Sequence, residues 1–180
     1  MRSKGSTSQI KFGSSMEVED LDATFSELAK KKGYIVRDVG REASKKGIDF
    51  HVKGVYRQTG KEVNMLFAVK RRKSKKKSKY LDRWTWIEYK KAGGEDGWIY
   101  GPVHFIAFER SNDFVVVSRK ALLDFLNSGS CRVRWDMPFV KMPKEAKYRV
   151  FQNPKTGAQI TQVLTKEIIK LEGAQVWKKS

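Results

Sequence analysis

The sequence predicts an α+β fold: a single domain with a central mixed β-sheet flanked by helices. Apolar residues follow a helical spacing in residues 17–32 and then alternate as in β-strands between residues 48 and 70. Further strand and helix patterns continue to residue 126, and no repeat or linker divides the chain. With 180 residues, of which 39% are apolar, the chain is long enough for one hydrophobic core.

The first predicted helix spans residues 17–32. Leu21, Phe25 and Leu28 fall at positions i, i+4 and i+7, so they share one helix face, and Gly33 stands where the helix would end. Acidic residues crowd its start and lysines its end, which is the distribution that the helix dipole favours.

A β-hairpin is predicted over residues 48–70. Apolar and polar residues alternate from Ile48 to Val52, which indicates a strand with one apolar face. After a turn at residues 57–61, residues 62–70 form the return strand.

The other segments carry weaker signals. They predict a short strand at 34–39, a polar loop at 40–47, a segment ambiguous between helix and strand at 81–92, a loop at 93–97, strands at 103–108 and 114–117, a helix at 119–126, a hairpin around 153–157 and a short helix near 166–171. We therefore divide the chain into a flexible basic arm (1–16), a core domain (17–130) and a C-terminal extension of the same domain (131–180).

The charge of the chain is its most unusual property. Lysine and arginine number 38 against 20 acidic residues, which gives a net charge of +18. Eight of the ten residues 70–79 are basic and none is acidic. Because this charge repels itself, and because phosphates release counterions on meeting cations, we expect a polyanionic partner, foremost DNA, duplex or branched. A localisation signal and a solvated loop are the alternative interpretations of the basic run.

Cysteine and hydropathy patterns set further bounds. Cys131 is the single cysteine, so no internal disulfide can form, and the two histidines lie too far along the chain to build a metal cluster with it. This composition fits a reducing, cytoplasmic location. No run of about 18 apolar residues is present, so we expect no membrane-spanning helix and no membrane partner.

Chemistry is suggested by two residues of the predicted hairpin. Asp49 lies on its first strand and Lys70 ends its second, so both can meet at one end of the sheet. Position 68 shares a face with Lys70, because residues i and i+2 of a strand point the same way. Phosphodiester hydrolysis needs hard divalent cations held by carboxylates, together with a group that activates water.

The order helix, strand, Gly-Ile-Asp-Phe, hairpin and strand ending in Lys70 resembles the PD-(D/E)xK nuclease superfamily. Holliday junction resolvases and many small phage, restriction and homing-type endonucleases belong to it. The resemblance covers residues 17–75, with weaker support to residue 126. It implies a restriction-endonuclease-like core and DNA cleavage with Mg²⁺ or Mn²⁺, and it suggests a phage or prokaryotic source. A homodimer is expected if the substrate is two-fold symmetric.

The resemblance also implies roles for individual residues. Asp49 matches the metal-binding aspartate, and Lys70 matches the lysine that positions or activates water. Asp22 on the first helix matches an additional metal-binding acid. Ala68 occupies the position of the second metal-binding acid, and alanine offers no oxygen to a cation. We therefore expect weak Mg²⁺ binding, by Asp49 and Asp22 alone.

Two explanations for Ala68 are open. An acid was deliberately replaced to block cleavage, which the intact remainder of the motif favours, or a natural protein lost or relocated its acid. Glu88, in Glu88-Tyr89-Lys90, is a candidate for relocation, although such a triplet arises easily by chance in so charged a chain.

The predicted DNA contacts are basic or aromatic residues that follow Lys70 or precede Asp49. They are Arg71, Arg72, Lys73, Lys75, Lys76, Lys77, Arg83 and Trp84 on the one side and Lys45 and Lys46 on the other. The expected function is thus a metal-dependent DNA endonuclease, junction-resolving or site-specific, inactivated at Ala68. The alternative is a non-catalytic nucleic-acid-binding protein on the same fold.

We predict tight DNA binding that weakens steeply with salt, with a log–log slope of about −0.9 for each phosphate neutralised. Replacing Lys75, Lys76 and Lys77 by alanine should flatten this slope without unfolding the chain, because no core can bury such a run. Salt titrations of DNA affinity, with circular dichroism as the folding control, test the prediction. An affinity equal at low and high salt would contradict it.

Overall fold

The computed structural model describes residues 16–56, 59–72, 79–129 and 133–179, with no side-chain description for residues 16–23 and 56. The helices are α1 (Met16–Lys31), α2 (Arg41–Lys45), α3 (Lys79–Arg83), α4 (Arg119–Asn127) and α5 (Thr165–Ile168). The strands are β1 (Ile35–Asp38), β2 (Phe50–Tyr56), β3 (Lys61–Lys70), β4 (Trp84–Lys90), β5 (Phe105–Glu109), β6 (Asp113–Ser118), β7 (Phe151–Gln152), β8 (Gln159–Leu164) and β9 (Gln175–Lys178). Two short 3-10 helices cover Trp98–Tyr100 and Pro143–Glu145.

The central sheet is mixed, as predicted, and has six strands in the order β1-β2-β3-β5-β6-β9. Its neighbours pair antiparallel except β3 and β5, which run parallel. A parallel pair requires a crossover connection. That connection contains α3, β4 and the 3-10 helix at Trp98–Tyr100. β4 joins β8 and β7 in a second, three-stranded antiparallel sheet.

One face of the central sheet packs against α1. Phe25 is fully buried, and its ring lies 5.3 to 5.7 Å from the rings of four other aromatic residues. Those residues are Phe50, Phe67, Phe114 and Trp177, contributed by four different strands. The periodic apolar face of the predicted helix is therefore the part of α1 that closes this core.

The opposite face of the sheet packs against a second apolar cluster. Ala68 and Ile106 on the central sheet meet Ile87 from β4, Leu122 from α4 and Ile168 from α5. The expectation of flanking helices holds for α1 and α4. Much of the second face is covered by a strand, β4, because β4 crosses over on the way from β3 to β5.

Several local predictions differ from the structure. The predicted loop at 40–47 contains α2, and the ambiguous segment at 81–92 lies mostly in β4, which pairs with β8. β9 was not predicted, because its four residues show little alternation until β6 pairs with them. The predicted arm lies outside the described residues except for Met16. Among the described helices, none combines the length and apolar character that crossing a membrane requires.

We predict that Phe25→Ala lowers the free energy of unfolding by about 3–5 kcal/mol, because it removes a buried ring that four other rings contact. Chemical denaturation measures the change. Leu81→Ala, at a position 45% exposed, is the control and should cost far less. Similar losses in the two variants would contradict the assigned core.

Candidate active site

The hairpin places Asp49 and Lys70 at the same end of the central sheet. The register pairs Phe50 with Phe67, and the backbone N–H of Asp49 donates to the Phe67 carbonyl at 2.8 Å. The Asp49 Oδ2 accepts a hydrogen bond of 2.6 Å from the backbone N–H of Val69. Asp49 therefore lies across from Ala68, and its carboxylate is held against the backbone just before Lys70.

Alternation along β3 divides its side chains between the two faces. Phe67 and Val69 belong to the cluster beneath α1, and Ala68 belongs to the opposite cluster. Lys70 follows Ala68 at a spacing of two, so it lies on that opposite face. Positions 68 and 70 thus share the face that the sequence predicted for them.

Lys70 is a partly buried cation. Its Nζ lies 4.9 Å from the centroid of the Trp98 ring. Burial lowers the pKa of Lys70 below its usual value, and the carboxylates of Asp49 and Glu88 act in the opposite direction. The ammonium group of Lys70 is thus less hydrated than that of a surface lysine. Two nearby carboxylates of opposite charge favour its charged form.

Glu88 reaches this site from the second sheet. It lies on β4, and its Oε1 accepts a hydrogen bond of 3.4 Å from the backbone N–H of Trp98. Although it was a secondary candidate, the structure brings it into the surroundings of Lys70. Lys90, which completes the acid-x-lysine triplet with Glu88, is exposed at the end of β4, and Glu88 stays a candidate.

Ala68 lies in an apolar environment. It is 2% exposed and pairs in register with Ile106 of β5. Ile48, Ile87 and Ile106 belong to the same buried cluster. Alanine suits this position by size and polarity.

A cleft opens beside Lys70 and Glu88, with a volume of about 290 Å³. Lys45, at the end of α2, and its neighbour Lys46 contribute to one wall. The other lining side chains include Lys91, Asp96, Trp98 and Tyr100. Lys45 forms a surface ion pair with Glu42 at 2.9 Å, which is weak at such exposure. The residues that line the cleft therefore combine lysines with acids.

The other predicted DNA contacts fare differently. Lys73, Lys75, Lys76 and Lys77 lie outside the described residues. Arg72 is partly buried, with its Nε 3.5 Å from Asp82, and its backbone N–H donates to Glu109. Arg72 therefore connects the end of β3 to Asp82 of α3 and to Glu109 of β5. Arg71 is also partly buried, whereas Arg83 is exposed.

The ring of Trp84 has cationic and aromatic neighbours. The Nζ of Lys147 lies 5.0 Å from its ring centroid and the guanidinium of Arg83 lies 5.9 Å away. Tyr148 packs edge-on against the same ring at 6.0 Å. These contacts join Trp84 to Arg83 of α3 and to the segment that carries Lys147 and Tyr148, and base stacking on Trp84 stays a prediction.

The described residues do not fit a complete Mg²⁺ site. No group of three or more His, Cys, Asp or Glu side chains is placed to hold a metal in the ranges that the structure describes. Asp49 already gives one oxygen to the backbone, and Ala68 supplies none. Asp22 belongs to α1, but its side chain lies outside the described part, so its metal-binding role stays a prediction.

Comparisons with known proteins give no match: no family model, no curated protein and no solved structure is similar to this chain. The site must therefore be interpreted from its own geometry.

We predict that Lys70→Met raises the stability of the protein relative to the parent near pH 7 and that this gain shrinks as the pH approaches 10.5. The folded-state pKa of Lys70 lies below its unfolded value of 10.5, so the unfolded chain binds more protons between the two values. The parent chain consequently gains stability as the pH rises through this window, and the variant lacks that gain. Urea unfolding at several pH values measures the difference, with Lys120→Met at an exposed position of α4 as the control. A difference that does not change with pH would contradict the burial of the ammonium.

Proposed function

We propose that this chain is a nucleic-acid-binding protein with the framework of a metal-dependent DNA endonuclease, in which Ala68 suppresses cleavage. The observation that carries the proposal is the meeting of Asp49, Lys70 and Glu88 beside a cleft with lysines at its mouth. A partly buried lysine between two acids is typical of functional sites, because burial of charge is otherwise costly.

Each residue of the site has a distinct task under this proposal. Lys70 meets a phosphate oxygen from inside the cleft, and Trp98 beneath it fixes its position. Burial lowers the pKa of Lys70 by disfavouring its charged form, and a phosphate anion in the cleft would stabilise that charge. Asp49 is oriented by the N–H of Val69, so its remaining oxygen has a fixed direction.

The charge distribution supports a nucleic-acid ligand. Lys45, Lys46 and Lys91 surround the cleft, where a phosphodiester backbone would pass. The net charge of +18 favours association with duplex or branched DNA over self-association. A homodimer remains part of the proposal only for a substrate with two-fold symmetry.

Cleavage would require a further carboxylate. Mg²⁺ or Mn²⁺ binds through carboxylate oxygens, and position 68 lies across from Asp49 on the face that bears Lys70. A glutamate at 68 would bring a second acid toward the one that the backbone already holds. The present chain is therefore proposed to bind without efficient cleavage.

A second function, non-catalytic nucleic-acid binding, is favoured by the surroundings of Ala68. The residue is buried among aliphatic side chains, where a charged carboxylate would be desolvated. If the natural protein carries alanine at position 68, the function of the fold is only to position the basic residues of the cleft for binding.

We predict that Ala68→Glu creates Mg²⁺-dependent cleavage of DNA and makes the melting temperature depend on Mg²⁺. Burying the glutamate lowers stability without metal, and a bound cation offsets the loss because it binds only the folded state. Labelled duplex, nicked and four-way-junction DNA are the substrates, and thermal unfolding with and without Mg²⁺ is the second readout. Ala68→Gln is the matched control, equal in size but without charge. In the Ala68→Glu background, Asp49→Asn should remove both effects.

The outcomes separate the two functions. Cleavage by Ala68→Glu but not by Ala68→Gln supports the endonuclease framework. A folded Ala68→Glu protein that binds DNA, cuts none of the substrates and ignores Mg²⁺ supports the binding protein. A parent chain that binds no DNA even at low salt overturns both.

A further inference from the structure

Two large aromatic side chains are exposed beside the cleft. Tyr100 is 44% exposed and Trp135 is 46% exposed. Both pack against the buried ring of Tyr89, at centroid distances of 6.4 and 4.8 Å. We call these three rings the aromatic platform. A buried ring that holds two exposed ones gives them defined positions, since aromatic pairs at these distances attract each other.

The platform is continuous with the cleft. Tyr100 lines the cleft together with Lys45, Lys46 and Lys91. Trp135 is joined to Tyr100 through the ring of Tyr89, which both side chains contact. A strand whose phosphates meet the lysines would therefore have its neighbouring bases within reach of the exposed rings.

A tight turn before Tyr100 and a side-chain ion pair flanking Trp135 constrain the chain around the two exposed rings. Gly97 begins the turn that carries Tyr100, and a Cβ there would lie 2.1 Å from the Glu88 carbonyl oxygen, so only glycine allows this turn to pack on β4. Arg134 donates hydrogen bonds of 2.9 and 2.7 Å to the two carboxylate oxygens of Asp136, which flanks Trp135 on its other side. Rings that already pack on Tyr89 lose less conformational entropy when a ligand stacks on them than free side chains would.

We infer that the aromatic platform binds unpaired nucleobases, so that the preferred ligand of the cleft is single-stranded or branched nucleic acid. Bases offer a flat face to aromatic rings, and stacking tolerates any sequence. The adjoining lysines supply the complementary charge for the backbone. A second copy of this chain is a poorer occupant, because two molecules of charge +18 repel each other. The inference rests on the proposed function and specifies the class of nucleic acid.

The test compares a fluorescein-labelled oligo(dT) of roughly 15 nucleotides, a length near the upper end of common single-strand sites, with a blunt duplex of equal length. Anisotropy at fixed salt measures both affinities for the parent, Tyr100→Ala, Trp135→Ala and Trp135→Phe. We expect each alanine to weaken oligo(dT) binding roughly five-fold or more, in line with the usual value of one stacked base. Trp135→Phe should retain most of the affinity, and duplex binding should change less than two-fold.

Controls separate this inference from the proposed function. Tyr80→Ala removes a tyrosine that is 57% exposed outside the platform, and it should leave oligo(dT) binding unchanged. Thermal unfolding verifies that every variant is folded. Alanine variants that bind oligo(dT) like the parent, with salt-dependent DNA binding intact, would overturn the platform and leave the proposed function standing. A parent dimer in sedimentation that Trp135→Ala dissociates would assign the platform to self-association. Absence of any nucleic-acid binding would overturn the proposed function itself.

Discussion

Strand β3 imposes the constraint on which the rest of the structure depends. It pairs antiparallel with β2 on one side and parallel with β5 on the other, so it forms the middle of the sheet. Its alternation sends Phe67 and Val69 into the core beneath α1 and Ala68 into the opposite core. Lys70 follows Ala68 on this second face of the strand, at the edge of the apolar cluster. The site is therefore the continuation of a core face, which explains why a lysine there is only partly hydrated.

Two buried acids of the central sheet pair with cations. Glu109 meets Lys179, and Asp113 meets Arg110 and Lys178. The acids near Lys70 act in the same way at the cleft. Many lysines and arginines of the described ranges are exposed, and repulsion between exposed charges is screened by salt.

The sequence predicted the elements whose pattern lies within one segment. It did not predict the contacts that arise from the connection between β3 and β5. The apolar spacing around Phe25 and the alternation around Phe50 were sufficient for α1 and for the hairpin, because both patterns arise within one element. Glu88 was ranked below Asp49 and Lys70 as a site residue, because its approach to Lys70 follows from the path of β4, which no local pattern specifies. For Trp84, which was predicted to contact DNA, no local pattern indicated the approach of Lys147 to its ring.

The parallel pairing of β3 with β5 has a consequence for the order of folding. The meander β1-β2-β3 joins neighbours in sequence and closes only short loops, whereas β5 can pair only after residues 71–104 have been drawn across the sheet. Closing such a loop costs entropy before its contacts can compensate, so non-local strands join late. That connection contains Glu88, Trp98 and Tyr100. The residues that line the cleft thus come partly from the local meander and partly from this non-local connection, so a nucleic acid that contacts both sets would bind only chains in which the parallel pair has formed.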